Sequence, residues 1–218
     1  MLFDYPRSAA FGRVLPKSKI YEHAKPGKAV KELFVRQIEQ IVWSYKLAPQ
    51  TVNIDATPSV PEIQVFSVAL KDGELGHEVL RCIDQAIPFP IFFELLFDGK
   101  VKPVAAFKRQ NTSDASKLVV SDYFEGKWYS GETIRSPLPV VFDLEVLYGR
   151  LLQPLLPFPA RQGENVQAQV ERMELVRLVQ RELQRCETNL GKEKQFNLKI
   201  ALNAELRKTK EKLEGLIG

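Results

Sequence analysis

Glu39, Asp55 and the triplet Glu62-Ile63-Gln64 are the residues of this 218-residue chain whose types and order come nearest to a reaction centre. A helix-borne Glu, an Asp and a strand-borne E-x-K can hold a divalent ion. The carboxylates bind the metal and the Lys orients the attacking water. Here Glu39 falls in a helical stretch, Asp55 precedes a strand and Glu62 opens it. Gln64 stands where the Lys is needed, and Asp55 lies unusually near Glu62 in sequence. A divalent-metal nuclease using Glu39, Asp55 and Glu62 is therefore the enzymatic alternative, and a solvated strand entrance is the plainer account of Glu62. Other chemistries lack their residues. His23 and His77 stand apart with no second histidine at ligand spacing, and Cys82 and Cys186 are too few and too distant for a zinc site or a disulfide framework. The motifs GxGxxG, GxxxxGK[ST] and GxSxG are absent, so no cofactor and no metal are expected.

The net charge of +4 is too mild to argue for nucleic acid by itself. Phosphate binding needs several cations on one surface. Lys17 and Lys19, with Lys108 and Arg109 at a strand end, are the positions from which such a patch would be built. The plainer account is that these cations keep the chain soluble. DNA is thus a possible partner, and a nucleic-acid-binding module without catalysis is a further alternative.

These residues must be positioned by elements that the apolar pattern outlines. Val30, Leu33, Phe34, Ile38, Ile41, Val42 and Tyr45 recur at helical spacing and predict a helix over 28–46. Ser8 to Leu15 reads as one or two helical turns. Residues 61–71 and 90–98 read as apolar strands separated by a short helix over 76–87. Asp98-Gly99 is a two-residue hairpin signal, because both central positions of such a turn need positive φ. The returning strand over 101–109 carries Pro103, which predicts an exposed edge there. A polar loop over 111–116 precedes another strand over 117–124, Asp143 reads as a helix N-cap, and the run LLQPLLPFPA at 151–160 reads as an apolar strap. The fold class is α+β: a mainly antiparallel sheet with packed helices and a C-terminal helical hairpin or coiled-coil tail.

That tail gives the most specific pointer. Residues 1–160 read as a globular domain and 161–218 as the helical tail, which lacks Pro beyond Glu164. Leu198, Leu202, Leu206 and Leu213 step by helical spacing and are the candidate partner-binding residues. Asn197 and Asn203 lie close to that seam, where polar residues can fix register. Gly191 suggests a helix end near 189–191 and hence an antiparallel hairpin, with one long helix pairing with a second chain as the other arrangement. No apolar run is long enough to span a bilayer and no signal-peptide core opens the chain, so a soluble, cytoplasmic protein without a membrane partner is expected.

The segments LPKSKIYEH, ELFVRQIEQIVWSYKLAPQTVNI, VPEIQVFSVAL, IDQAIPFPIFFELLF and EKQFNLKIALNAELR occur in that order, and the chain resembles an uncharacterised bacterial family, the domain of unknown function family 4391. The resemblance covers essentially the whole chain. It carries over no catalytic residue. It implies an accessory role in DNA restriction-modification or defence systems. The function expected from all of this is a non-enzymatic accessory or adaptor protein acting through protein–protein contacts of its helical tail, with itself or another protein.

Overall fold

The computed structural model describes residues 1–111, 114 and 118–218, and the fold is α+β. The loop expected over 111–116 lies largely outside the described residues, as does Lys117. In chain order the elements of the first unit are β1 (Phe3–Asp4), β2 (Ala10–Val14), α1 (Lys17–Ala24), α2 (Lys28–Gln37), β3 (Ile38–Leu47), α3 (Pro49–Val52), β4 (Ile63–Leu70), α4 (His77–Ala86), β5 (Ile91–Phe97), β6 (Lys100–Gln110), β7 (Leu118–Glu125), β8 (Tyr129–Ser130), β9 (Ser136–Pro137) and α5 (Leu144–Leu152). The tail adds α6 (Val166–Lys192) and α7 (Phe196–Ile217). The chain divides into two compact units, Met1–Leu155 and Leu156–Gly218.

The main sheet runs β2-β3-β4-β5-β6-β7, with β8 also pairing with β6. Every pair in it is antiparallel except β4–β5, which α4 joins as a crossover. Phe66 and Val68 of β4, Phe93 and Leu95 of β5, and Val79, Leu80 and Ile83 of α4 share one core with Phe34 of α2 and Ile20 of α1. Alternation puts Val65, Phe92 and Glu94 on the opposite face. There Arg135 grips Glu94 at 2.6 and 3.0 Å and also donates to the Phe3 carbonyl, and Tyr5 packs against Tyr45 with ring centroids 4.8 Å apart.

The helix expected over 28–46 is in fact half helix and half strand. It breaks at Gln37–Ile38, and β3 pairs along its length with β4. Ile, Val, Trp and Tyr crowd residues 38–45, and these types fit a pleated surface better than a helix. Their spacing matched a helical stripe, but the hydrogen-bonding partner in β4 decides the state. In place of the one or two helical turns expected over Ser8 to Leu15, a single 3-10 turn forms over Arg7–Ala9 and β2 follows. The Asp98-Gly99 hairpin is formed, with φ of +48° and +67°. Pro103 does not lie at an exposed edge. It is buried at the place where the neighbour of β6 changes from β7, ending at the Val104–Glu125 pair, to β8, starting at Val101–Tyr129. The missing N–H costs nothing at a break in the ladder. Asp143 does cap α5, accepting from the Val146 N–H at 2.8 Å.

Long-range cations close several helix C-termini. The last carbonyls of a helix lack intrahelical donors and carry partial negative charge. At the abrupt end of α2, the Lys17 amine donates to the Phe34 and Ile38 carbonyls and the Lys71 amine to the Val35 carbonyl. Beyond α4, the Lys108 amine donates to the Asp84, Ile87 and Phe89 carbonyls at 2.8–3.0 Å, and it pairs with the Asp84 carboxylate at 2.7 Å. Lys108 sits at a bulge in β6. The Tyr148 hydroxyl accepts from its N–H and donates to the Ala106 carbonyl, while the Ser121 hydroxyl accepts from the Phe107 N–H.

Gly73 marks the tight exit from β4. Its φ is +76°, and a Cβ there would sit 2.8 Å from the Phe97 ring. Gly73→Ala is expected to lower stability by about 1–2 kcal/mol from the backbone conformation alone, read as a shift of the urea midpoint at unchanged slope.

Candidate functional site

The second unit is built from its N-cap onward. Asn165 accepts from the Ala168 N–H at 2.9 Å and starts α6. Gly191 does not end that helix. α6 runs one residue further, and the Glu193 carboxylate, accepting from the Lys194 and Gln195 N–H groups, holds the turn into α7. The tail is therefore an antiparallel hairpin within one chain. Val176, Val179 and Cys186 of α6 are buried, as is Thr209 of α7.

One buried side chain fastens the open end of the hairpin. Arg172 places Nε and Nη2 on the two Glu164 oxygens at 2.7 and 2.8 Å, Nη2 also on the Pro159 carbonyl, and Nη1 on the Leu216 carbonyl. The Arg161 guanidinium adds bonds to the Gly215 and Gly218 carbonyls, and its own N–H reaches Glu164. The C-terminus of α7 is thus tied by two guanidinium groups reaching from before and within α6. Hydrogen bonding and charge from Arg172, with the Arg161 N–H, hold the Glu164 carboxyl down at about 2.

The hairpin spends most of the predicted seam on itself. Leu202, Leu206 and Leu213 are half-buried on the stripe that carries Thr209, so they are not free for a partner. Leu198 remains 46% exposed. Phe196 is 75% and Ile200 55% exposed, next to it on the first turns of α7. A shallow depression of about 440 Å³ opens at this tip, lined by Asn189, Lys192, Leu198, Ala201, Leu202 and Glu205. Asn197 and Asn203 do not lie in the seam. Both are exposed, and Asn203 bonds back to the Lys199 carbonyl of its own helix. Sequence spacing finds the apolar stripe of α7, but Phe196 and Ile200 are missed. They form a second stripe on the other side of the helix, visible only once α6 has claimed the first.

The other predicted positions do not converge. Glu39 lies exposed on β3, not on a helix. Asp55 forms an isolated parallel bridge with Asp143. Glu62 is buried, paired with Lys46 at 2.9 Å and accepting from Gln64 at 2.5 Å. Among the described residues no group of three or more His, Cys, Asp or Glu could hold a metal ion. The basic patch also dissolves. Lys108 is 3% exposed and committed to α4, so it cannot meet a phosphate. Burial, with Lys71 nearby, lowers the pKa of Lys17 while its amine caps α2. Lys19 pairs with Glu22, and Arg109 is half-buried on β6. Of the four cations, Lys17 and Lys108 are committed to helix-end carbonyls. No described helix is long and apolar enough to cross a membrane.

The family model for a domain of unknown function, DUF4391, matches residues 3–213. The chain belongs to that family. No curated protein and no solved structure matches it. The family match runs through both units of the chain, from β1 through most of α7, so the hairpin is part of the family's domain and not an appendage to it.

Proposed function

We propose that this member of the DUF4391 family is a non-enzymatic accessory or adaptor protein that works through protein–protein contacts of its helical tail. The observation that carries this reading is the pair Phe196 and Ile200 standing in solvent near the hairpin tip, on the side of α7 that α6 leaves uncovered. An aromatic and an aliphatic side chain one helical turn apart, on an otherwise polar face, have the composition of an interface anchor. The setting is a cytoplasmic one, in a bacterial DNA restriction-modification or defence system, as the family resemblance implies. The globular unit has exposed apolar side chains of its own, Ile134, Val140 and Phe142, on the segment between β8 and α5.

Phe196→Ser/Ile200→Ser tests the reading. Both residues face solvent, so helicity and thermal midpoint should stay within experimental error of the parent. Affinity capture with the parent from the source cell, scored by mass spectrometry, should yield a stoichiometric partner that the double variant retains at least tenfold less well, as expected for loss of about 1.4 kcal/mol or more at an anchor. Equal recovery by both proteins would refute the tip as the contact.

A further inference from the structure

We propose that the outer stripe of α7 at the hairpin tip docks a short acidic helix, whose apolar residues meet Phe196 and Ile200 and whose carboxylates meet the cations beside them. The proposal rests on the reading of the tip as a contact surface and names the chemistry of what it contacts. Phe196 and Ile200 are one helical turn apart and largely exposed. The charges around them are of one sign. Lys194 lies in the turn that leads into α7, Lys199 stands on the flank of the pair, and Arg207 lies on the stripe itself two turns beyond Ile200. Lys194 and Lys199 are exposed and enter no ion pair among the described residues. The nearest acids are turned away or occupied. Glu205 is two and a half turns from Phe196, on the opposite side of the helix beside Cys186 of α6. The Glu193 carboxylate accepts from the Lys194 and Gln195 N–H groups at 2.7 and 2.8 Å.

The same stripe changes sign further along the helix. Glu211 lies close to three turns past Ile200 and Glu214 five turns past Phe196, so both share the stripe, and Glu211 sits 4.0 Å from Arg207. The cationic stretch therefore covers residues 194–207, about 20 Å. An anionic surface laid along the whole of α7, a membrane or a nucleic-acid duplex, would meet Glu211 and Glu214 as well and be repelled there. A second copy fits no better. Seated antiparallel with the two apolar pairs in contact, it sets the two Lys199 side chains together. Shifted so that Glu214 meets Lys194, it leaves each apolar pair opposite residues 208–212, which are all polar. A short acidic segment escapes these conflicts, because its carboxylates face cations over a contact about three turns long. Its apolar residues recur at i, i+4, the spacing at which one helix presents anchors to another. With exposed charges at its rim, the contact is salt-sensitive.

Fluorescence anisotropy on the full chain, with two synthetic helical peptides of about 18 residues, measures it. Both peptides carry one Leu stripe at i, i+4 spacing; its flanks are Glu in one and Lys in the other. The Glu peptide should bind at least tenfold more tightly than the Lys peptide at low salt and lose most of that margin at high salt. Lys194→Glu/Lys199→Glu should reverse the order, while the same change of net charge in the globular unit, Lys28→Glu/Arg36→Glu, should leave it standing. Phe196→Ser/Ile200→Ser should weaken the Glu peptide at least tenfold at an unchanged thermal midpoint. Equal affinity for the two peptides, or no binding of either up to about 1 mM, would overturn the proposal. So would an order that survives Lys194→Glu/Lys199→Glu or reverses equally in Lys28→Glu/Arg36→Glu. Tighter binding to phosphatidylserine vesicles or to duplex DNA than to the Glu peptide would overturn it in favour of an anionic surface. A captured partner lost by Phe196→Ser/Ile200→Ser, beside equal affinity for the two peptides, keeps the tip as the contact and removes the acidic occupant. A partner held equally by the parent and the tip variant removes the tip itself.

Discussion

Lys108→Met is expected to lower the free energy of unfolding by about 3–5 kcal/mol, the largest single-site effect in the globular unit. The ammonium is nearly inaccessible, and so is the Asp84 carboxylate opposite it. Burial pushes the lysine pKa down and the aspartate pKa up, and each partner opposes the shift of the other. Removing the amine therefore leaves a carboxylate in the core without its cationic partner, though still accepting from the Tyr123 hydroxyl, and it strips a donor from the Asp84, Ile87 and Phe89 carbonyls. Met fills much of the space, so the cost arises from unpaired polar groups and not from a cavity. Asp84→Asn keeps a polar partner for both Lys108 and Tyr123 and spares the three carbonyls, so it should cost distinctly less. Urea unfolding of both variants gives the order. A Lys108→Met midpoint within about 1 kcal/mol of the parent would show that these bonds do not hold the crossover from α4 to β5.

Acidification is expected to release the end of the tail hairpin before the rest of it. Glu164 has a folded-state pKa of about 2 against an ordinary 4.5. Its pairing with Arg172 therefore contributes fully above about pH 4.5 and is lost as pH falls through about 2. The protection of the amides in the last turn of α7, measured against their intrinsic exchange rate at each pH, should fall over that window. In Glu164→Gln it should be lower already at neutral pH and change little on acidification. Arg172→Met goes further, because it also frees the Pro159 and Leu216 carbonyls, and a cost of about 3 kcal/mol to the tail is expected from breaking a buried pair. Limited proteolysis near Gly215 reads it directly. Cleavage in Arg172→Met no faster than in the parent would remove the anchor from this account.

The residues explain why the basic side chains misled a reading by position. Lys17 and Lys108 look alike in sequence, as cations beside apolar segments. Each is in fact drawn to the carbonyls at the end of a helix that is remote in sequence, Lys17 to α2 and Lys108 to α4. Nothing local marks a lysine as a helix cap, because the acceptor lies some twenty residues away. The same holds for Arg172, whose bond to Leu216 closes a long loop.

What the sequence determined by itself is what short-range rules govern. The Asp98-Gly99 turn, the Asp143 cap, the apolar strands at 63–70 and 91–97 and the α+β class follow from φ preferences, side-chain capping and short apolar runs bounded by turn residues, which act within a few residues. The switch from α2 to β3 was decided by tertiary structure, because Ile38, Ile41 and Val42 step at helical spacing while their residue types favour a strand, and the hydrogen bonds from β4 settle the conflict. It also decided which face of the tail is left over. Leu202, Leu206 and Leu213 pack within the hairpin, while Phe196 and Ile200 stay in solvent. An apolar pattern says that a surface must be covered; which surface covers it depends on contacts between residues far apart in the chain.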